Sequence, residues 1–273
     1  MKKIILSIIA LGATIASSAQ TVTINQGQSV SDASNSVDIV QEGVSEITVN
    51  QKGSNGSFQV EQSFSLYSNS ISIDQNGSYN ETAIEQLGNS NEISINQTNG
   101  TNDVLMVSEV DISQEGLNNA ITLSQNGGGN SMNLIQDNSS NSTINLSQYD
   151  NGQSVNVTQE LGDNNSIVVT QYTDRLGGNL LTIVQDGGAN NIIKMVQAGD
   201  GNIFEIEQSG SGNIITGASN PYNYALQSGD NNNASFIQSG TSNTINFKQL
   251  GDNTSIDFVQ SGSNNVANLN VSN

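Results

Sequence analysis

The side chains of this sequence that could do chemistry are carboxylates and carboxamides. Its 273 residues include 25 Asp and Glu but no His and no Cys, so neither an imidazole base nor a thiolate is on offer. Glu205 and Glu207 sit at i and i+2, a spacing that puts two carboxylates on one strand face and could divide acid and base work on a sugar bond. Asp beside Gly in LGDN (161–164), AGDG (198–201), SGDN (228–231) and LGDN (250–253) could ligate calcium. The carboxamides are the larger set, because Gln and Asn recur at fixed intervals. A side-chain amide that donates to one copy of itself and accepts from another can build a continuous row.

Gln75, Gln86 and Gln97 stand 11 residues apart, as do Gln114, Gln125 and Gln136, and again Gln227, Gln238, Gln249 and Gln260. Gln148, Gln159, Gln171, Gln185, Gln197 and Gln208 continue at 11 to 14, and Gln41, Gln51 and Gln62 precede at 10 and 11. Within a unit the order is Asn, five residues, Gln, four residues, Asn. Aliphatic residues occupy the second and fourth places after Asn, as in Ile71 and Ile73, Ile93 and Ile95, Leu181 and Ile183, and Ile245 and Phe247. That period of two marks a β-strand with one buried face. The four residues after Gln, such as NGSY, LGNS and NGGG, are turn chemistry.

A strand of about seven residues and a turn of about four return the chain to its starting side every two units. The expected fold is therefore all-β: a two-sheet parallel β-solenoid (β-helix) of about ten coils of about 22 residues each, with no capping domain. The register puts Asn, two apolar residues and Gln inward. Asp74, Glu81, Glu85, Glu92, Asp111, Lys194, Glu205, Glu207, Lys248 and Asp257 all fall outward, as the cost of burying an unpaired charge requires. The amide rows fall on Asn69 and Gln75, Asn80 and Gln86, Asn91 and Gln97, Asn119 and Gln125, Asn130 and Gln136, and Asn165 and Gln171. They continue at Asn179 and Gln185, Asn191 and Gln197, Asn202 and Gln208, Asn232 and Gln238, and Asn243 and Gln249. Two buried aliphatics cannot offset the entropy of ordering eleven backbones, so each coil depends on its neighbours and the end coils are open edges.

Composition and the termini limit the setting. MKKIILSIIALGATIASSAQ has two lysines, an apolar run too short to span a bilayer and small residues before Gln20, so residues 1–19 read as a secretory signal peptide. Residues 20–36 read as one strand followed by a flexible segment, and 37–273 as the repeats. Lys52, Arg175, Lys194 and Lys248 then face 25 acids, which disfavours nucleic acid as a partner, and no later segment is long and apolar enough for a membrane span. Breaks in period are expected at 98–113 and 209–226, the latter holding Pro221, and at YTDRLGG (172–178).

The spacing Q-x4-N-x5-Q, seen from Gln75 through Asn80 to Gln86 and from Gln125 through Asn130 to Gln136, with G-x-x-N turns, resembles the repeat of the curlins, the subunits of bacterial curli fibres. The resemblance implies a non-enzymatic protein without cofactor, exported through an outer-membrane pore of a Gram-negative bacterium. It implies polymerisation at the cell surface, with copies of itself and with other curli-type subunits, into functional amyloid that supports biofilm and adhesion. The alternatives are a minor nucleating subunit and a β-solenoid adhesin that does not polymerise. A calcium solenoid is less favoured because most turns lack Asp, and a polysaccharide-active enzyme because no long loops wall a cleft.

Overall fold

The structure, a computed structural model, describes residues 21–26, 36–41, 45–52, 57–62, 69–76, 80–98, 108–173, 178–217 and 224–273. The expected signal peptide, Pro221 and most of YTDRLGG lie outside the described residues. Among those described there are 22 β-strands and no helix. In chain order they begin with β1 (Thr21–Gln26), β2 (Ser36–Gln41), β3 (Ser45–Lys52), β4 (Ser57–Gln62), β5 (Asn69–Asn76) and β6 (Asn80–Asn89). Next come β7 (Glu92–Thr98), β8 (Ser108–Leu117), β9 (Ala120–Asn126), β10 (Ser131–Ser140), β11 (Thr143–Tyr149) and β12 (Ser154–Asp163). β13 (Ser166–Tyr172), β14 (Leu180–Ala189), β15 (Ile192–Ala198), β16 (Ile203–Ser211) and β17 (Ile214–Thr216) follow. The last are β18 (Ala225–Ser228), β19 (Asn233–Thr241), β20 (Thr244–Leu250), β21 (Ser255–Ser263) and β22 (Val266–Ser272).

Strands alternate between two parallel sheets, as a period of one strand and one turn demands. One sheet has 12 strands, in the order β1-β3-β5-β7-β9-β11-β13-β15 and onward through β17 and β18 to β20 and β22; the other has 10, from β2 to β21. The fold is the β-solenoid that the spacing predicts. Register keeps like over like: Gln136 pairs with Gln159, Gln159 with Gln185 and Gln185 with Gln208, while Leu134, Val157, Ile183 and Ile206 stack beside them.

The two interrupted stretches are partly regular. β8 regains phase with Val110, Ile112 and Gln114 inward, all buried. In 209–226, β17 pairs with the first half of β15 and β18 with its second half, so two short strands share one level and the sheets stay continuous. Both then pair with β20. The residue before the inward Asn takes a left-handed conformation at Ser90, Asn118, Asn164, Asn190, Ser242 and Asn264, a conformation that Asn enters more readily than β-branched residues do.

The core is a single file of aliphatic pairs between the sheets, from Ile71 and Ile73 to Ile245 and Phe247. Toward the C-terminal end it becomes aromatic: Phe236 packs edge to face on Phe204 (5.1 Å) and Phe247 (4.7 Å), with Ala225 and Ala234 leaving room for the rings. No charged residue is buried among the described residues, in keeping with the outward placement of acids and lysines.

Candidate functional site

Two rows of glutamine run the length of the interior, one beside each sheet. Gln75 Nε2 donates to Gln97 Oε1 (2.6 Å), Gln97 to Gln125 (2.7 Å), Gln125 to Gln148 (3.2 Å) and Gln148 to Gln171 (3.1 Å). The row goes on from Gln171 to Gln197 (2.7 Å), Gln227 (2.9 Å) and Gln249 (3.0 Å). On the other sheet Gln86 donates to Gln114 (2.8 Å), and the row passes through Gln136, Gln159, Gln185, Gln208 and Gln238 to Gln260 at 2.6 to 2.9 Å.

Every one of these bonds points the same way, from the earlier residue's amide N–H to the later residue's carbonyl. Turning one amide over would oppose two donors on one side and two acceptors on the other, so direction is shared by the whole row. Some amides spend their second hydrogen across the core: Gln197 Nε2 also reaches Leu180 O (3.3 Å) and Gln227 Nε2 reaches Ile203 O (3.2 Å).

The asparagines work differently from the amide-to-amide contact expected of them. Asn69 Oδ1 accepts the backbone N–H of Asn91 (2.9 Å), Asn91 Oδ1 that of Asn119 (3.0 Å), and Asn165, Asn191, Asn213 and Asn243 continue the pattern. Their Nδ2 groups tie turns together. Asn191 Nδ2 donates to Gly187 O in its own turn (3.2 Å) and to Gly210 O one level on (2.6 Å). The physical reason is reach: Asn is one methylene shorter than Gln, so its amide stays at the corner, where orphan backbone groups of the turn need partners. On the other sheet Asn179 Oδ1 accepts from Asn202 N (3.0 Å) and Asn202 Oδ1 from Asn232 N (2.9 Å). Asn130 Oδ1 accepts from Gln153 N (2.9 Å). Asn80 pairs in register with Ser108, and its side chain lies outside the described ones.

Three levels depart from Asn. Ser142 accepts the Asn165 N–H through its hydroxyl (3.2 Å), and Thr254 donates both its backbone N–H (3.0 Å) and its hydroxyl (2.7 Å) to Asn232 Oδ1. Gln153 is too long: its Nε2 turns back to Tyr149 O, and its Oε1 is buried without a partner. Gln114, Gln148, Gln159, Gln227, Gln260 and Asn213 belong to the rows although none was among the assigned sites. The signal for Asn213 was its five-residue distance from Gln208, hidden by the irregular stretch that follows.

The carboxylates are elsewhere. Glu205 and Glu207 stand exposed on the outer face of β16. Asp200, Asp230 and Asp252 stack in one turn column, where the Asp230 and Asp252 carboxylates accept the backbone N–H of Asp200 (3.0 Å) and Asp230 (2.8 Å). Among the described residues no group of three or more His, Cys, Asp or Glu is placed to hold a metal. Asp137, Glu160 and Asp186 pair in register at successive levels, so like charges stack along one edge.

At the C-terminal end of the stack burial falls off. Ile256, Phe258 and Leu269 are only partly covered, and Gln260 has a donor behind it but no acceptor in front among the described residues. No curated protein matches the chain. Residues 68–98, which span β5, β6 and β7, match the family model described as Curlin associated repeat. The same register of Asn, aliphatic pair and Gln is carried through both sheets, so the unit in which the chain is similar to the curlin associated repeat recurs along the described strands.

Proposed function

We infer that this chain is a secreted structural subunit which self-assembles into curli-like extracellular amyloid fibres, serving biofilm matrix and surface adhesion. The observation that carries this reading is the pair of one-way glutamine rows, of which one closes on Thr254 through Gln249 and the other ends at Gln260, whose amide N–H has no acceptor among the described residues. A buried amide left half-satisfied costs free energy, and another copy supplying the next glutamine removes that cost. A fold whose every interior level is made by its two neighbours is stabilised by adding levels, within one chain or between chains. Residues 1–19 fit removal as a signal peptide, and by family resemblance the partners are an outer-membrane secretion pore and other curli-type subunits at a Gram-negative cell surface.

The test is to hold the purified chain, without residues 1–19, at neutral pH and follow thioflavin fluorescence with and without fragments of its own fibres. Growth that begins at once with seed, and fibres diffracting at about 4.8 Å along their axis, is the expected result. A chain that stays monomeric for days in the presence of seed refutes the reading.

A further inference from the structure

The two sheets do not finish at the same level. Because β17 and β18 share a level, the first sheet fills eleven levels and the second ten, and both β1 and β22 belong to the first. A second copy that kept all its strands and laid β1 on β22 would leave a gap one strand wide, about 4.8 Å, above β21. That gap would lie against Ile256, Phe258 and the unpartnered Gln260 amide.

We propose that copies join end to end through β2 of the incoming chain on β21 and β3 on β22, with β1 of the incoming chain displaced. This joint rests on the fibre reading and specifies its geometry. Both sheets then continue without a gap. β2 reads SVDIVQ and β21 reads SIDFVQ, so Ser, an aliphatic, an apolar residue, Val and Gln each meet their like, while Asp38 over Asp257 repels as other stacked carboxylates of the chain do. Gln41 stands where the Gln260 amide needs an acceptor, and Ile39 stands over Phe258. On the other sheet Val49 stands over Leu269.

β1 is the strand to leave because β22 is tied closely to β21, on which the joint is built. Only the two residues 264–265 connect β22 to β21, and Asn246 Nδ2 to Asn268 Oδ1 (2.8 Å), Asn273 Nδ2 to Asp252 O (2.9 Å) and Asn265 N to Asn243 Oδ1 (3.0 Å) fasten it. β1 pairs with β3, and nine residues of sequence separate it from β2, a span long enough by contour length for β2 to keep its place without β1 in the stack. Val271, which stands opposite Gln249 where the first sheet's row would continue, makes that sheet the weaker half of the joint and β21 the leading one.

The chain has no cysteine, so introduced pairs report on the joint without background. Fibres grown from a mixture of V40C and V259C chains should cross-link between copies on oxidation, whereas a mixture of N25C and N270C, which would meet only if β1 lay on β22, should not. In a second arm T23C/T48C, register partners that bolt β1 to β3, should lose seeded elongation when oxidised and regain it on reduction. N246C/N268C, which bolts β22 instead, should elongate in both states. Cross-linking of N25C with N270C, absence of the V40C–V259C product in fibres that do form, or normal elongation of the oxidised T23C/T48C chain each overturns the joint while leaving the fibre reading in place. Failure of the unsubstituted chain to form fibres overturns both.

Discussion

Adjacent glycines near the end of β14 separate the cost of a left-handed conformation from the cost of stacking. Gly187 and Gly188 both have left-handed backbones, with φ of 67° and 71°. A Cβ added to Gly187 meets nothing within 4 Å; one added to Gly188 would overlap the carbonyl oxygen of Gly210 in the next coil. Gly187→Ala therefore pays the left-handed strain alone, about 1 kcal/mol. Gly188→Ala carries the same strain and must also push the 210–212 turn away. That displaces the acceptor of Asn191 Nδ2 (2.6 Å) and strains the bonds from Gly212 N to Ala189 O (2.8 Å) and from Ala189 N to Ser211 Oγ (3.2 Å). At roughly 1 kcal/mol for each bond lost, the expected destabilisation is about 3 to 5 kcal/mol. Urea unfolding of each variant, followed by far-ultraviolet circular dichroism below the concentration at which the chain assembles, reads the difference. Equal midpoints for the two variants would refute the claim that glycine is held at 188 by the neighbouring coil.

Three further outcomes follow from the rows and the charges. Gln171→Leu removes the bonds to Gln148 (3.1 Å) and Gln197 (2.7 Å) and leaves a donor and an acceptor without each other, so it should cost about 2 to 4 kcal/mol in the same unfolding measurement. Gln153→Asn replaces the one over-long residue of its column and removes the orphaned Oε1; it should raise stability by about 1 kcal/mol, and a loss would show that the site has no room for the shorter amide to engage. Stability and seeded growth should both increase with added salt, because stacked carboxylates repel less when screened. In a D137N/E160Q/D186N chain that salt dependence should be visibly flatter, and an unchanged slope would mean the column exerts no measurable repulsion.

The polarity of the glutamine rows bears on how such a stack could grow. Donors face one way along each row and acceptors the other, so the two ends of a row differ and a head-to-tail contact is the one that keeps the direction. A head-to-tail contact does not close on itself, which is the geometry of a filament and not of a ring or a two-fold dimer. The acidic exterior opposes that tendency, so the proposed assembly would be a balance between a row that gains from each added amide and a surface that resists each added charge.

Much of this protein can be read in its letters, because a solenoid makes spacing and space the same thing. The eleven-residue interval placed Gln75 over Gln97 and Ile71 over Ile93 before any coordinates, and alternation alone sent Glu205 and Glu207 outward. What spacing could not decide was how each amide is used. Asn and Gln look equivalent in a repeat, yet one methylene sends Gln across to its copy in the next coil and keeps Asn at the corner, where the backbone N–H of the next level claims its oxygen. Nor could it tell that β17 and β18 fill one level, that Gln153 leaves an oxygen unpaired, or that the sheets end one strand apart. Those facts depend on distances between levels, which the chain acquires only when every coil is in place.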